Sequence, residues 1–135
     1  MTIRTSENIN ITSVSLLGAE TVYQATLADA TLKTCIVPAA GVLHRVESFV
    51  KTGCSGTAHA EKTEIDVTKG GVSILTAKSL INEAAGTGIV VGSLTGGTCA
   101  VVKGDKIAIV NDYTADGAGG NAGADLCVSI YYKGA

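Results

Sequence analysis

At 135 residues the chain suits one domain, long enough for an all-β sandwich to bury a core without disulfide or metal staples. Charged residues are only 16% of it and the net charge is -2, so it presents no basic field for nucleic acid, and one Phe, four Tyr and no Trp leave few rings to stack on bases or sugars. No apolar run is long enough to span a membrane as a helix, and MTIRTSENINITS lacks the basic stretch and apolar core of a secretory signal, which makes synthesis in a reducing cytoplasm the expectation.

Short alternating runs rich in Thr, Val and Ile are separated by small polar clusters, the pattern of many short strands. Residues 8 to 16 (NINITSVSL) and 21 to 28 (TVYQATLA) predict two early strands. LKTCIV at 32 to 37 stops at Pro38, which cannot donate in a ladder and so marks a strand end. Next, VLHRVESFVK at 42 to 51 alternates, with Val42, His44, Val46, Ser48 and Val50 on one face and Leu43, Arg45, Glu47, Phe49 and Lys51 on the other. After the loop TGCSGTAHAE, TEIDVTKGGVSILTA predicts a hairpin turning at Lys69-Gly70-Gly71, where adjacent glycines supply positive φ. KSLINEAAG at 78 to 86 is either a single helical turn ended by Gly86 or a loop.

Two short strands, IVVGSL at 89 to 94 and TCAVV at 98 to 102, flank Gly96-Gly97, and Lys103-Gly104-Asp105 turns into KIAIVND. The final run, ADLCVSIYYK, sets Leu126, Val128, Ile130 and Tyr132 on one face and Asp125, Cys127, Ser129, Tyr131 and Lys133 on the other. Roughly eight strands with turn signals about every ten residues predict an all-β, antiparallel β-sandwich or closed barrel, since a parallel sheet needs crossover helices that this chain does not supply. Residues 1–20 read as an N-terminal arm or first strand and 21–135 as the sandwich domain.

Chemical motifs were weighed against plainer roles. GTGIVVGSLTGG at 86 to 97 places Gly86 and Gly88 in a dinucleotide fingerprint, but Val91 stands at the third glycine position and no helix follows, so these are turn glycines. Cys54 and His59 share a loop without the signatures that accompany a catalytic cysteine, and Cys35, Cys54, Cys99 and Cys127 lie too far apart for a zinc-knuckle spacing; free, mostly buried thiols are expected. The acidic stretch from Asp112 fails as an EF-hand loop because Gly123 occupies the position of the bidentate Glu, and GGNAGADL occurs once whereas repeat-in-toxin calcium turns act as stacked copies. Asp112, Asp116 and Asp125 remain a candidate for a lone cation against the simpler reading of an inter-strand loop. No cofactor or catalytic residue is assigned, and Asn10-Ile11-Thr12, a glycosylation triplet, is read as chance. An apolar, charge-poor chain of this size has little surface to keep wet, which predicts a homo-oligomer. Ile3, Ile9 and Ile11, spaced among polar residues ahead of the strands, suit burial of one side in a partner's sheet edge.

In order, VLHRVESFV, EIDVTKGGVSIL, VVKGDKIAIVNDY and GADLCVSIYYK resemble a β-sandwich (jelly-roll) module that recurs in structural proteins of tailed bacteriophages. In that resemblance Asp66 to Leu75 forms the "D-V-x-K-x-G-x-S-I" hairpin, Lys103-Gly104-Asp105 opens the penultimate strand and Ala124 to Tyr132 closes the fold; Gly70 replaces the usual small residue or Asn, and residues 1 to 41 lie outside the match. The resemblance implies a non-enzymatic capsid decoration (cement) protein on the outer surface of a phage head, trimeric and bound to the major capsid protein. The alternative within virion proteins is a head-fibre or tail-fibre module that binds a host receptor or carbohydrate. A metal-dependent carbohydrate module is opposed by the absence of Trp.

Overall fold

The computed structural model describes residues 19–56, 61–116, 120–121 and 123–134. The strand expected at 8 to 16, the candidate contacts Ile3, Ile9 and Ile11, the Asn10 triplet and His59 lie outside the described residues. Among the described residues ten strands follow one another: β1 (Ala19–Thr26), β2 (Ala30–Ile36), β3 (Gly41–Thr52), β4 (Lys62–Lys69), β5 (Val72–Ser73), β6 (Ser79–Asn82), β7 (Val90–Gly92), β8 (Cys99–Val101), β9 (Lys106–Thr114) and β10 (Ala124–Gly134).

They form two antiparallel sheets. In sheet one the order is β1-β10-β3-β7, and β8 occupies the same edge of β3 further along; in sheet two the order is β2-β9-β4-β5, and β6 shares the edge of β4 with β5. The chain crosses between the sheets on passing from β1 to β2, β2 to β3, β3 to β4, β6 to β7, β8 to β9 and β9 to β10, which is a jelly-roll order. The segments VLHRVESFV, EIDVTKGGVSIL, VVKGDKIAIVNDY and GADLCVSIYYK fall on β3, the β4–β5 hairpin, the end of β8 through β9, and β10.

Alternation decides what lies between the sheets. From β10, Leu126, Val128, Ile130 and Tyr132 point inward as their period of two predicts, and they meet Ile65 and Val67 of β4 and Ile107 and Ile109 of β9 in one core. Fully burying each such aliphatic side chain contributes ~1.5–3 kcal/mol. Strand β3 departs from the expected faces. Val46, Ser48 and Val50 are inward, but Leu43 is buried in place of Val42 and His44. The cause is a bulge: Arg45 pairs with Tyr131 and Leu43 with Tyr132, so His44 is an extra residue that reverses the phase of the strand before it.

The hairpin turns at Gly70 (φ 60) and Gly71 (φ 87), a two-residue loop with both φ positive. Residues 79 to 82, read in the sequence as a helical turn or loop, are instead strand β6, because the edge of β4 offers backbone partners that one turn of helix cannot match. After β6, Glu83–Ala85 forms a 3-10 turn, capped by the Asn82 side chain, which accepts from Ala84 N at 3.1 Å and Ala85 N at 3.3 Å, and ended by Gly86.

Val128 is fully buried between β1 and β3. Val128→Asp places an unpaired carboxylate there at a cost of several kcal/mol, and urea titration is expected to show no cooperative folding transition.

Candidate interaction surface

The residues that suggested chemistry are dispersed by the fold. Cys54 is buried and its Sγ donates to the Ile81 carbonyl at 3.8 Å; burial, then the nearby Glu61, push its pKa up, so the thiol stays protonated. Burial pushes Cys35 up to about 12. Cys99 and Cys127, expected to be mostly buried, are partly exposed: Cys99 packs against the core from the inward side of β8 but lies at the strand's end, and Cys127 sits on an outward position of β10. Asp112 pairs with Lys78 Nζ at 2.7 Å on sheet two, whereas Asp125 accepts from the Tyr23 hydroxyl on sheet one. The candidate cation trio is therefore not brought together, and among the described residues no three His, Cys, Asp or Glu side chains are grouped as metal ligands.

The acidic, glycine-rich stretch before β10 has another role. It clasps the loop after β3. Ser55 and Asn121 exchange backbone hydrogen bonds at 2.9 and 2.7 Å, and Glu61, only 2% exposed, accepts from Asp116 N at 2.6 Å. A methyl group on Gly120 would come within 2.6 Å of the Ser55 carbonyl oxygen and 2.9 Å of Glu61 Oε1, so glycine is needed for the two loops to approach. Nothing in the local pattern around Glu61 announced its burial, since a lone Glu in a polar loop ordinarily faces water.

Sheet one presents a continuous outer face. Register aligns Tyr23, Cys127 and Phe49 in one row, Thr21, Ser129, Glu47 and Val91 in the next, and Ala19, Tyr131 and Arg45 in a third. Tyr23, Phe49 and Val91 are exposed, as is Ile89 just ahead of β7. The polar groups of this face satisfy one another: Thr21 and Ser129 hydroxyls lie 2.9 Å apart, the Tyr131 hydroxyl donates to Glu47 Oε1 at 2.8 Å, and Arg45 Nε donates to Glu47 Oε2 at 2.5 Å. The Tyr131 hydroxyl, then Arg45, hold the Glu47 carboxyl below the usual carboxylate range, and Glu47 in turn raises Tyr131. A partner covering this face would strand few donors or acceptors, which removes the main penalty of burying polar surface. Sheet two's outer face carries more charge, with Lys62 beside Glu64 at 3.5 Å, Lys78 with Asp112, and Asp66 accepting from the Ser73 hydroxyl at 2.5 Å, next to exposed Ile36 and Leu80.

A second feature lies where the sheets meet. Thr76 N donates to Ser93 O at 2.8 Å and Thr95 N to Ile74 O at 2.9 Å, which stitches the two sheets together. Beside that stitch the sheets part around a mainly apolar groove of about 370 Å³ between β5 and β8, lined by Lys69 at the end of β4, by Val72 and Ile74 in and after β5, and by Thr98, Cys99 and Ala100 before and in β8.

No protein-family model matches the chain, and no curated protein aligns with it significantly.

Two outcomes test these contacts. Glu61→Ala removes the acceptor of the Asp116 amide and is expected to lower stability by ~1–3 kcal/mol in urea titration, with faster proteolysis between residues 115 and 123. Because the Glu47 pKa is depressed by folding, its contribution is present above the ordinary carboxylate pKa and lost as pH falls through the folded value. Tyr131→Phe should thus raise the Glu47 pKa in a carboxylate NMR titration and lower the melting temperature at pH 7, with the gap closing in acid.

Proposed function

We propose that this protein is a capsid decoration, or cement, protein that binds as a trimer to the outer surface of a tailed-phage head and stabilises the lattice. The observation that carries this reading is the outer face of sheet one, where exposed Tyr23, Phe49 and Val91 lie beside Thr21, Ser129, Glu47, Arg45 and Tyr131, which bond to one another. Such a face suits a broad protein surface better than a small polar ligand. Two further features support it. The jelly-roll order is one that viral capsid domains use, and the four resembling segments fall on its β3, β4–β5, β9 and β10 strands. In this mechanism sheet one lies on the major capsid protein across a boundary between neighbouring subunits, and the added contact raises the free energy needed to part them under internal DNA pressure. The fibre alternative places the same face against a host receptor.

The test adds purified protein to heads of its own phage prepared without it, pellets the particles and measures bound protein. Saturable binding is expected, along with greater resistance of the heads to heat. Phe49→Asp, on the exposed face, should abolish binding while leaving the melting temperature nearly unchanged, as surface substitutions shift stability by only ~0.5 kcal/mol. Binding to host cells and none to heads would replace the decoration reading with the fibre one.

A further inference from the structure

We propose that the groove between β5 and β8 receives the N-terminal segment, residues 1–18, of a neighbouring copy, and that this exchange builds the oligomer. The inference does not rest on the phage reading.

The groove is a gap between two strand edges. Strand β5 pairs with β4 on one side, at Thr68↔Ser73 and Lys69↔Val72, and β8 pairs with β3 on one side, at Gly41↔Val101, Val42↔Ala100 and Leu43↔Cys99. Among the described residues neither has a second strand neighbour. The Ala100 carbonyl accepts from Lys69 Nζ at 3.1 Å, so a side chain from the opposite sheet supplies a donor to a backbone group at this opening. Beside it, the Ile74–Thr76 and Ser93–Thr95 segments already close the same gap with backbone hydrogen bonds, so an added extended segment would continue an existing line of pairing. Apolar surface is left open there too: Val72 is 70% exposed, and Val102, directly after β8, is 59% exposed. Soluble domains ordinarily cover or charge such edges.

The chain that precedes β1 supplies the occupant. Asn8-Ile9-Asn10-Ile11-Thr12 sets two isoleucines at alternate positions, ~7 Å apart on one side of a strand, with polar residues on the other. That pattern fits a shallow apolar groove with a wet outer side. Ala19 pairs with Tyr131, next to the Tyr132–Leu43–Cys99 row, so the segment begins at the groove's end of the sandwich but on the opposite edge of sheet one. From Ile9 to Ala19 it spans ~33 Å when extended, against ~14 Å across the three strand spacings of its own sheet, so it has the reach to meet another copy. Each copy then gives a segment and receives one, a head-to-tail contact that closes into a ring.

Cys99 lines the groove and serves as the probe. Ile9→Cys and Ile11→Cys are prepared separately in the full chain, oxidised mildly at micromolar concentration and run on a non-reducing gel. At least one should give covalent oligomers ending at a discrete size, and Cys99→Ser in the same background should abolish them. Val72→Glu should also abolish them and shift the sedimenting species to monomer with the melting temperature retained, while Phe49→Asp should leave them intact. A Cys99 link formed only within one chain overturns the exchange. Absence of a Cys99-dependent link in both variants overturns the groove as the docking site. Head binding by a chain that fails these tests leaves the decoration reading standing, and successful crosslinking without head binding does the reverse.

Discussion

The two-residue period of β10 is the constraint on which the rest depends. It is paired on both edges, with β1 and with β3, and its inward set of Leu126, Val128, Ile130 and Tyr132 is almost entirely removed from water. Because successive side chains point to opposite faces, burying that set commits Cys127, Ser129 and Tyr131 to the outside. Register then places Tyr23 and Phe49 on either side of Cys127, so the apolar outer face is a geometric consequence of the core. A slip of one residue would exchange the two faces, at the cost of the whole inward set.

A sandwich of this order leaves strand edges on both sides. On one, β1 and β2 end their respective sheets among the described residues. On the other, each sheet ends in a pair of very short strands, and the molecule treats that side unevenly: the Leu75–Leu94 bridge joins the sheets, and a single lysine reaches across the remainder to Ala100. Short edge strands limit unwanted pairing because they offer few consecutive backbone groups. Two such edges facing one groove can still accept a partner that satisfies both.

The two outer faces divide the labour. Sheet two carries paired charges that water solvates well, so covering it would forfeit that solvation. On sheet one the arginine, the glutamate and the tyrosine hydroxyl are bound to one another, and the aromatic and aliphatic groups beside them gain from being covered. At the far end, the clasp between Glu61, Asp116, Ser55 and Asn121 holds two glycine-rich loops together by backbone and carboxylate hydrogen bonds, and of the three aspartates that resembled a ligand site in the sequence it uses only Asp116, through its backbone amide.

Local pattern alone determined the all-β class, the inward face of β10, the Gly70-Gly71 hairpin and the turn before β9, because period-two alternation and positive-φ glycines act over a few neighbouring residues. Four things were decided only by the tertiary structure. The phase of β3 before Arg45 depends on a bulge created by its pairing with β10, and β6 is a strand because β4 offers it an edge; neither partner is near in sequence. Glu61 is buried because a loop more than fifty residues later brings the Asp116 amide to it. The shared row of Tyr23, Cys127 and Phe49 likewise depends on the register of three strands from distant parts of the chain. Side-chain alternation is a local property of the backbone, whereas register, bulges and loop contacts arise only when distant segments compete for the same hydrogen bonds and the same buried volume.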